Sequence, residues 1–294
     1  MVDHSCANLI SRQENSSVTD KLSFALNQIT APRLTCREFI QLAKRLGCSG
    51  VELRNDLRDK RLCEREFFDG ESPRDVGSYV RESGMRLLGL SEVYAFNRWS
   101  DEIRDKVDRL IGEAVASGAE SISLIPSNDG RSETDDARLE ALRDALTRIL
   151  PMLAGTDLIA LVEPLGFPTS SLRRKGEAIA AIKAVGGESR YKLVHDTFHH
   201  HLAGEREFFP EWTGIVHISG VVDPSLDVRE MQDEHRILVT GDDRLGNLAQ
   251  IEALNAAGYR GAYSYECFAP LVHQSKSIES EIAESIALIV SGVS

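Results

Sequence analysis

The sequence lacks the marks of several protein classes. No apolar run approaches the roughly 18 residues of a membrane span, and residues 1–20 are polar, without the apolar centre of a secretion signal. The cysteines, Cys6, Cys36, Cys48, Cys63 and Cys267, are odd in number, scattered and without a C-x-x-C pair. That argues against a disulfide framework or a zinc ribbon and fits a reducing cytoplasm. No G-x-G-x-x-G or G-K-[ST] loop follows an apolar run, which removes the main reason to expect a nucleotide-binding Rossmann layout. No basic cluster offsets the net charge of −12, so a phosphate backbone would be repelled. The expected partner is a small molecule, neutral or cationic, with neither nucleic acid nor membrane; a homo-oligomer is left open.

What is present is a rhythm. A chain of 294 residues, 42% hydrophobic, suffices for one large core. Short aliphatic runs recur after helical segments that stop at a glycine. The first run is Leu22–Gln28; Thr35 can then cap a helix in which Phe39, Leu42, Ala43 and Leu46 share a face, and Gly47 ends it. GVELR begins at Gly50. Gly84, Gly118, Gly155 and Gly186–Gly187 precede MRLLGLSE, AESISLIP, DLIALVE and YKLVHD; GIVHISG and GAYSYE start at Gly214 and Gly261. Eight strands alternating with helices predict parallel pairing and closure into a (β/α)8 TIM barrel. We read residues 1–20 as a flexible N-terminal extension and 21–294 as a single catalytic domain.

Active sites of this architecture stand at the C-terminal ends of the strands. The fifth run ends in Glu163, the sixth in Asp196, the seventh carries His217, and the eighth ends in Glu266. A lone carboxylate there is commonly a helix cap. Four ligand types on four successive strands, each after an apolar run, instead point to one shared cation that offsets the cost of burying them. Three carboxylates and one imidazole form a mostly hard set, suited to Mn²⁺, Mg²⁺ or Co²⁺, with Zn²⁺ also compatible. His199, three residues beyond Asp196 in an expected loop, is a candidate for a substrate hydroxyl or carbonyl, the bland alternative being a histidine-rich surface loop or an adventitious metal tract, which weighs more for His200. Tyr94, Phe96, Trp99 and Phe198 are candidates for an apolar wall at the mouth. Glu52 and Arg54 read as an ion pair behind it, and most charges of Asp223–Arg236 as solvated.

At ALVEPLGFP, LVHDTFHHHLAG, IVHISGVVDP and LNAAGYRGAYSYECFAP the chain resembles the xylose isomerase-like TIM barrels, most closely their inosose isomerase (2-keto-myo-inositol isomerase) branch. Weaker echoes are LNQIT, VELR and LSEVYAFNR, so the resemblance runs through nearly everything after residue 21. It implies that Glu163, Asp196, His217 and Glu266 bind the metal, with Mn²⁺ first among candidates, and that His199 and Arg236 contact substrate. One departure stands out: after Arg236 the chain reads ILVTGDDRLGN, keeping Gly241 where the family commonly has P-G-x-G.

The implied reaction interconverts inososes, cyclic polyol ketones of inositol catabolism. A metal on the ketone oxygen and the neighbouring hydroxyl acidifies the adjacent C–H and stabilises an enediolate, while Glu163 and Glu266 exchange the proton as base and acid. A ketose 3-epimerase or an inosose dehydratase would use the same site. Endonuclease IV shares the fold but needs further metal ligands and a basic groove, and a catalytically dead sugar-binding barrel would not need both glutamates.

Overall fold

In the computed structural model the described residues are 22–131 and 133–293; the extension at 1–20 lies outside them. Helix starts follow local chemistry. Thr35 accepts the Glu38 N–H while the Glu38 carboxylate takes the Thr35 N–H, a capping box that begins α1 (Cys36–Arg45). Its Phe39, Leu42 and Ala43 are buried as the helical spacing predicts, and Leu46 is half-buried. Ser72 caps α2 (Pro73–Glu82), Ser100 caps α3 (Asp101–Ser117) and Thr134 caps α4 (Asp135–Ile149). Gly118 closes α3 at φ +73°, a left-handed position that a side chain would strain.

Between these helices run β1 (Ser23–Asn27), β2 (Gly50–Arg54), β3 (Arg86–Tyr94), β4 (Ser121–Ile125), β5 (Ile159–Val162), β6 (Tyr191–Asp196), β7 (Thr213–Ile218) and β8 (Ala262–Tyr265). The later helices are α5 (Lys175–Ala184), α6 (Thr197–Ala203), α7 (Asn247–Ala256), α8 (Pro270–His273) and α9 (Ile278–Gly292). Every strand pairs in parallel with the next, and β8 returns to β1, so the eight close into the expected barrel. The third strand runs two residues past the expected run's Glu92, to Tyr94. No helix among the described residues is long and apolar enough to cross a membrane.

Two layers of packing position the mouth. Ala25, Leu88, Leu161, Val194, Ile215 and Ala262 come from six different strands and cluster without any helix residue, so they fill the barrel interior from below. Ile125, Leu165, Phe167, Phe198, Val221, Met231 and Leu245 form a separate cluster of strand-end, loop and helix residues around the rim. The segment Thr197–His201, expected as a loop, is instead the start of α6. Asp196 is the reason: its Oδ1 accepts the N–H groups of Phe198 (2.8 Å) and His199 (3.0 Å), capping a helix directly at the strand end.

Candidate metal centre

Strand register brings the ligand-type residues together. Asp196 lies opposite His217, and His217 opposite Ser264, so β6, β7 and β8 present their ends in line. Glu163 and Glu266 follow β5 and β8 directly, their N–H groups held by the carbonyls of Leu124 and Ile218. One donor atom from each of Glu163, Asp196, His217 and Glu266 can be chosen so that all four lie within 4.8 Å of one another, and all four residues are buried. This arrangement suits a divalent metal.

His217 provides the sharpest test of that fit. Its Nε2 is 3.1 Å from Glu52 Oε2, and Glu52 Oε1 accepts the Ser264 hydroxyl at 2.5 Å. With Nε2–H so engaged, a ring that gave up its Nδ1 proton to a metal would present the Nδ1 lone pair to the cluster, as in carboxylate–histidine–metal triads. Nδ1 is buried, 3.3 Å from Glu266 and 3.8 Å from Glu163, yet makes no hydrogen bond. A cation would use that lone pair. Burial opposes charge on the imidazole, but the carboxylates of Glu266 and Glu52 outweigh it and raise its pKa well above the ordinary value.

The two glutamates differ. Glu266 is clamped: Oε1 accepts from Arg54 (2.8 Å) and Asn27 (3.4 Å), and Oε2 from Arg236 (2.9 Å). Burial pushes its carboxyl up, but His217, Arg236 and Arg54 together hold it well below the usual range. Glu163 has only His217, at 3.8 Å, as an ion-pair partner among the described residues. Burial, with the charge of Glu266, pushes it up to about 7.

Arg236 is fully buried, its guanidinium bridging Asp196 (2.5 Å) and Glu266 and lying 5.0 Å from the Phe198 ring centre and 4.6 Å from that of Phe268. The segment after it departs from P-G-x-G but is anchored by an antiparallel bridge from Ile237 to Gly220, while the Arg236 carbonyl accepts from Phe268 and Ala269. His199 is buried with an unpartnered Nδ1. Burial, then the charge of Arg236, lowers its pKa to about 3, so it stays neutral. Gly166 permits this placement, since a Cβ there would meet the His199 carbonyl at 2.3 Å.

Above the cluster lies a cavity of about 270 Å³ whose walls include Glu163, Glu266, His199, Arg236, Tyr94 and Phe268. Of the four aromatics expected at the mouth, Tyr94 lines this cavity and Phe198 lies buried beside Arg236. Phe96 sits wholly in the core, and half-buried Trp99 packs on the outside, where Arg148 covers it. Phe167 and Phe268 line the cavity instead. Glu52 and Arg54 do not pair with each other: Glu52 holds His217, whereas Arg54 binds Asp56, Glu92 and Glu266. Glu52 was readable only as an acid inside an apolar strand. His200 is no surface residue; its Nδ1 is 2.6 Å from buried Lys175, which also reaches His195 and Glu205. His201 is half-buried.

A closed eight-stranded barrel bearing acids and a histidine at the ends of successive strands defines a class of metal-site barrels. The model of the xylose isomerase-like TIM barrel family matches residues 40–290, and the chain belongs to that family. A xylose isomerase domain-containing protein of Salmonella typhimurium LT2 is similar at 34% identity, over 91% of this chain and 96% of that one, with a TM-score of 0.81. The IolI protein, solved with a bound zinc atom, shares the fold at 19% identity, over 92% and 98% of the two chains, with a TM-score of 0.80. The 3-keto-D-glucoside 4-epimerase YcjR of E. coli shares it at 17% identity, over 92% and 100%, with a TM-score of 0.68. No protein of curated function matches the sequence.

Proposed function

We propose that this chain is a metal-dependent isomerase of inososes, moving the carbonyl of a cyclic polyol ketone to a neighbouring carbon. One observation carries the reading: two residues of the buried four-residue donor cluster, Glu163 and Glu266, also line a cavity that His199 and Arg236 share. At about 270 Å³ the cavity is at the small end of ligand sites, a match for one six-membered ring. The sequence resemblance to the inosose isomerase branch and the fold likeness to the IolI protein support the same choice.

Glu163, Asp196, His217 and Glu266 would hold the ion, with Mn²⁺ favoured by the three carboxylates. When bound, the metal supplies a Lewis acid that acidifies the C–H beside the ketone. The protein's own groups do the rest. Glu163, free of guanidinium clamps, takes or returns the proton on one side of the carbon skeleton, and Glu266 serves the other. Arg236 and His199 orient substrate oxygens, His199 through its unpartnered Nδ1. Leu165, Phe167 and Phe268 exclude water from the cavity. The substrate is a neutral small molecule, no nucleic acid or membrane takes part, and the free thiols fit work in the cytoplasm.

The test is to incubate metal-loaded protein with a panel of inososes and ketohexoses and resolve products by NMR. The expected product is a positional isomer of the inosose, with the carbonyl signal on a new carbon. An unmoved carbonyl with an inverted neighbour would replace the reading with a ketose 3-epimerase. A product lighter by one water would replace it with an inosose dehydratase. The fold likenesses to YcjR and to an L-ribulose 3-epimerase make the first of these the stronger rival.

A further inference from the structure

The mouth is not a closed cup. Beside it, between the segment following β2 and the outer face of α3, runs a groove of about 540 Å³, twice the volume of the mouth cavity. Lys60, Glu92 and Tyr94 line both spaces, so the two meet there. None of the four donor residues lines the groove, so whatever it holds lies away from the reacting carbons. The junction is built. Asn55 grips the Glu92 backbone at both ends, accepting its N–H (2.9 Å) and donating to its carbonyl (3.2 Å), while Arg54 holds the Glu92 carboxylate at 2.8 Å. Tyr94 is fixed through its hydroxyl, which accepts the Asn128 N–H, yet its side chain is 46% exposed. An exposed ring pinned at the meeting point of two cavities is a platform on which the C–H face of a sugar can lie.

We propose that the groove is a second subsite, which seats a neutral, hydroxyl-rich substituent attached to the ring in the mouth, so that the preferred substrate is a glycosylated polyol ketone. The charge of the walls selects neutrality. Of the four carboxylates (Asp56, Asp59, Glu92, Glu113) Asp56 and Glu92 are held by Arg54, and of the three cations (Lys60, Lys106, Arg109) Lys60 pairs with Asp56 at 3.2 Å and Lys106 with Glu102 at 2.7 Å, which leaves Asp59 and Glu113 facing Arg109. A phosphate there would meet more negative than positive charge. Hydroxyls can accept from the lysines and donate to the acids, while Tyr94, Phe67 and Leu110 cover the apolar face of the ring. The proposal rests on the isomerase reading for what occupies the mouth, and extends it to what the substrate carries.

The experiment uses the metal-loaded full chain and unreactive probes without the ketone. Calorimetry compares myo-inositol, inositols carrying one O-linked hexose at different carbons, and inositol monophosphates. At least one glycosylated inositol is expected to bind about tenfold tighter than myo-inositol, the gain of one aromatic stack with one or two hydrogen bonds. Arg109→Trp, from the exposed face of α3, should fill the groove and cancel that gain while leaving myo-inositol binding unchanged. Tyr94→Ala should cancel most of it too. Equal affinities for bare and glycosylated polyols would overturn the subsite, as would a gain that survives Arg109→Trp, and tighter binding of a monophosphate would overturn its neutrality. Failure of the parent reading looks different: no polyol binds and no inosose is turned over. Inosose turnover with equal probe affinities would leave the isomerase standing and remove the subsite alone.

Discussion

Glu52 touches no donor atom of the cluster except through His217, and the strength of the metal site should depend on it. Its carboxylate takes the Nε2 side of His217 at 3.1 Å and the Ser264 hydroxyl at 2.5 Å, in a part of the barrel closed to solvent. Glu52→Ala removes both acceptors. It frees the imidazole to turn or to take the other tautomer, and removal of such a partner typically weakens metal binding by about 10–100-fold. It also leaves two buried donors unsatisfied, at about 1–3 kcal/mol each, so the metal-free protein should lose stability as well. Glu52→Gln keeps an acceptor for His217 and should fall at the weak end of the range. The assay has two arms: competition against a metallochromic chelator for affinity, and thermal unfolding with and without saturating metal. A hundredfold loss of affinity would shrink the metal-induced stabilisation by about 2.7 kcal/mol at a fixed metal excess. If Glu52→Ala bound metal as tightly as the wild type while remaining folded, His217 would not owe its orientation to Glu52, and the reasoning would be refuted.

Purified protein should carry about one equivalent of divalent metal; exhaustive chelation should abolish turnover and lower the melting temperature, and His217→Ala should lose the metal, all readable by elemental analysis with calorimetry. Arg236→Lys should fold, yet lose about 10–100-fold in kcat/KM, because an ammonium cannot bridge Asp196 and Glu266 and still face substrate as the planar guanidinium does; wild-type kinetics would remove Arg236 from the site. Burial lowers the Lys175 pKa from 10.5 to about 8, against the pull of Glu205. The unfolded chain therefore binds more protons between about pH 8 and 10.5, and this residue's contribution to stability should rise with pH across that window. Denaturant titrations of wild type and Lys175→Met should differ in slope there, and parallel profiles would contradict the buried, depressed amine.

What the sequence made legible were the features written locally. A barrel follows from repeated strand, helix and glycine stop, and Thr35 with Glu38 spelled its own cap. Glu163, Asp196, His217 and Glu266 were findable because each interrupts or ends an apolar run, and the structure does bring them within one cluster. Partners across the barrel were not legible. Glu52 and His217 are 165 positions apart, and Arg54 and Glu266 are 212 apart, so only closure of the barrel, β8 onto β1, juxtaposes them. The aromatics misled for a related reason: the chain turns after β3, so Tyr94 faces the mouth, Phe96 the core and Trp99 the outer helices, within six residues and with no periodicity to separate them. The histidine triplet read as a loop because the capping power of Asp196 was spent, in the reading, on metal alone, whereas its Oδ1 serves the helix and its Oδ2 meets Arg236.

That division of Asp196 bears on how the proposed roles are distributed. A residue that caps a helix with one oxygen and meets a guanidinium with the other cannot move, so Asp196 can anchor but is poorly placed to carry a proton. Glu266 is held almost as tightly, by Arg54, Arg236 and Asn27. Glu163 alone lacks such clamps, and it faces the cavity. Two carboxylates in one site whose surroundings push them in opposite directions, one toward neutrality by burial and one toward the anion by two guanidinia, are the pattern by which acid and base roles separate. The asymmetry comes from β2, which carries Arg54 to the strand-eight side of the mouth and nothing equivalent to the strand-five side. In this barrel β2, which bears no metal-ligand candidate itself, orients the histidine of the cluster through Glu52 and holds Glu266 as an anion through Arg54, leaving Glu163 as the unclamped partner of the proposed acid–base pair.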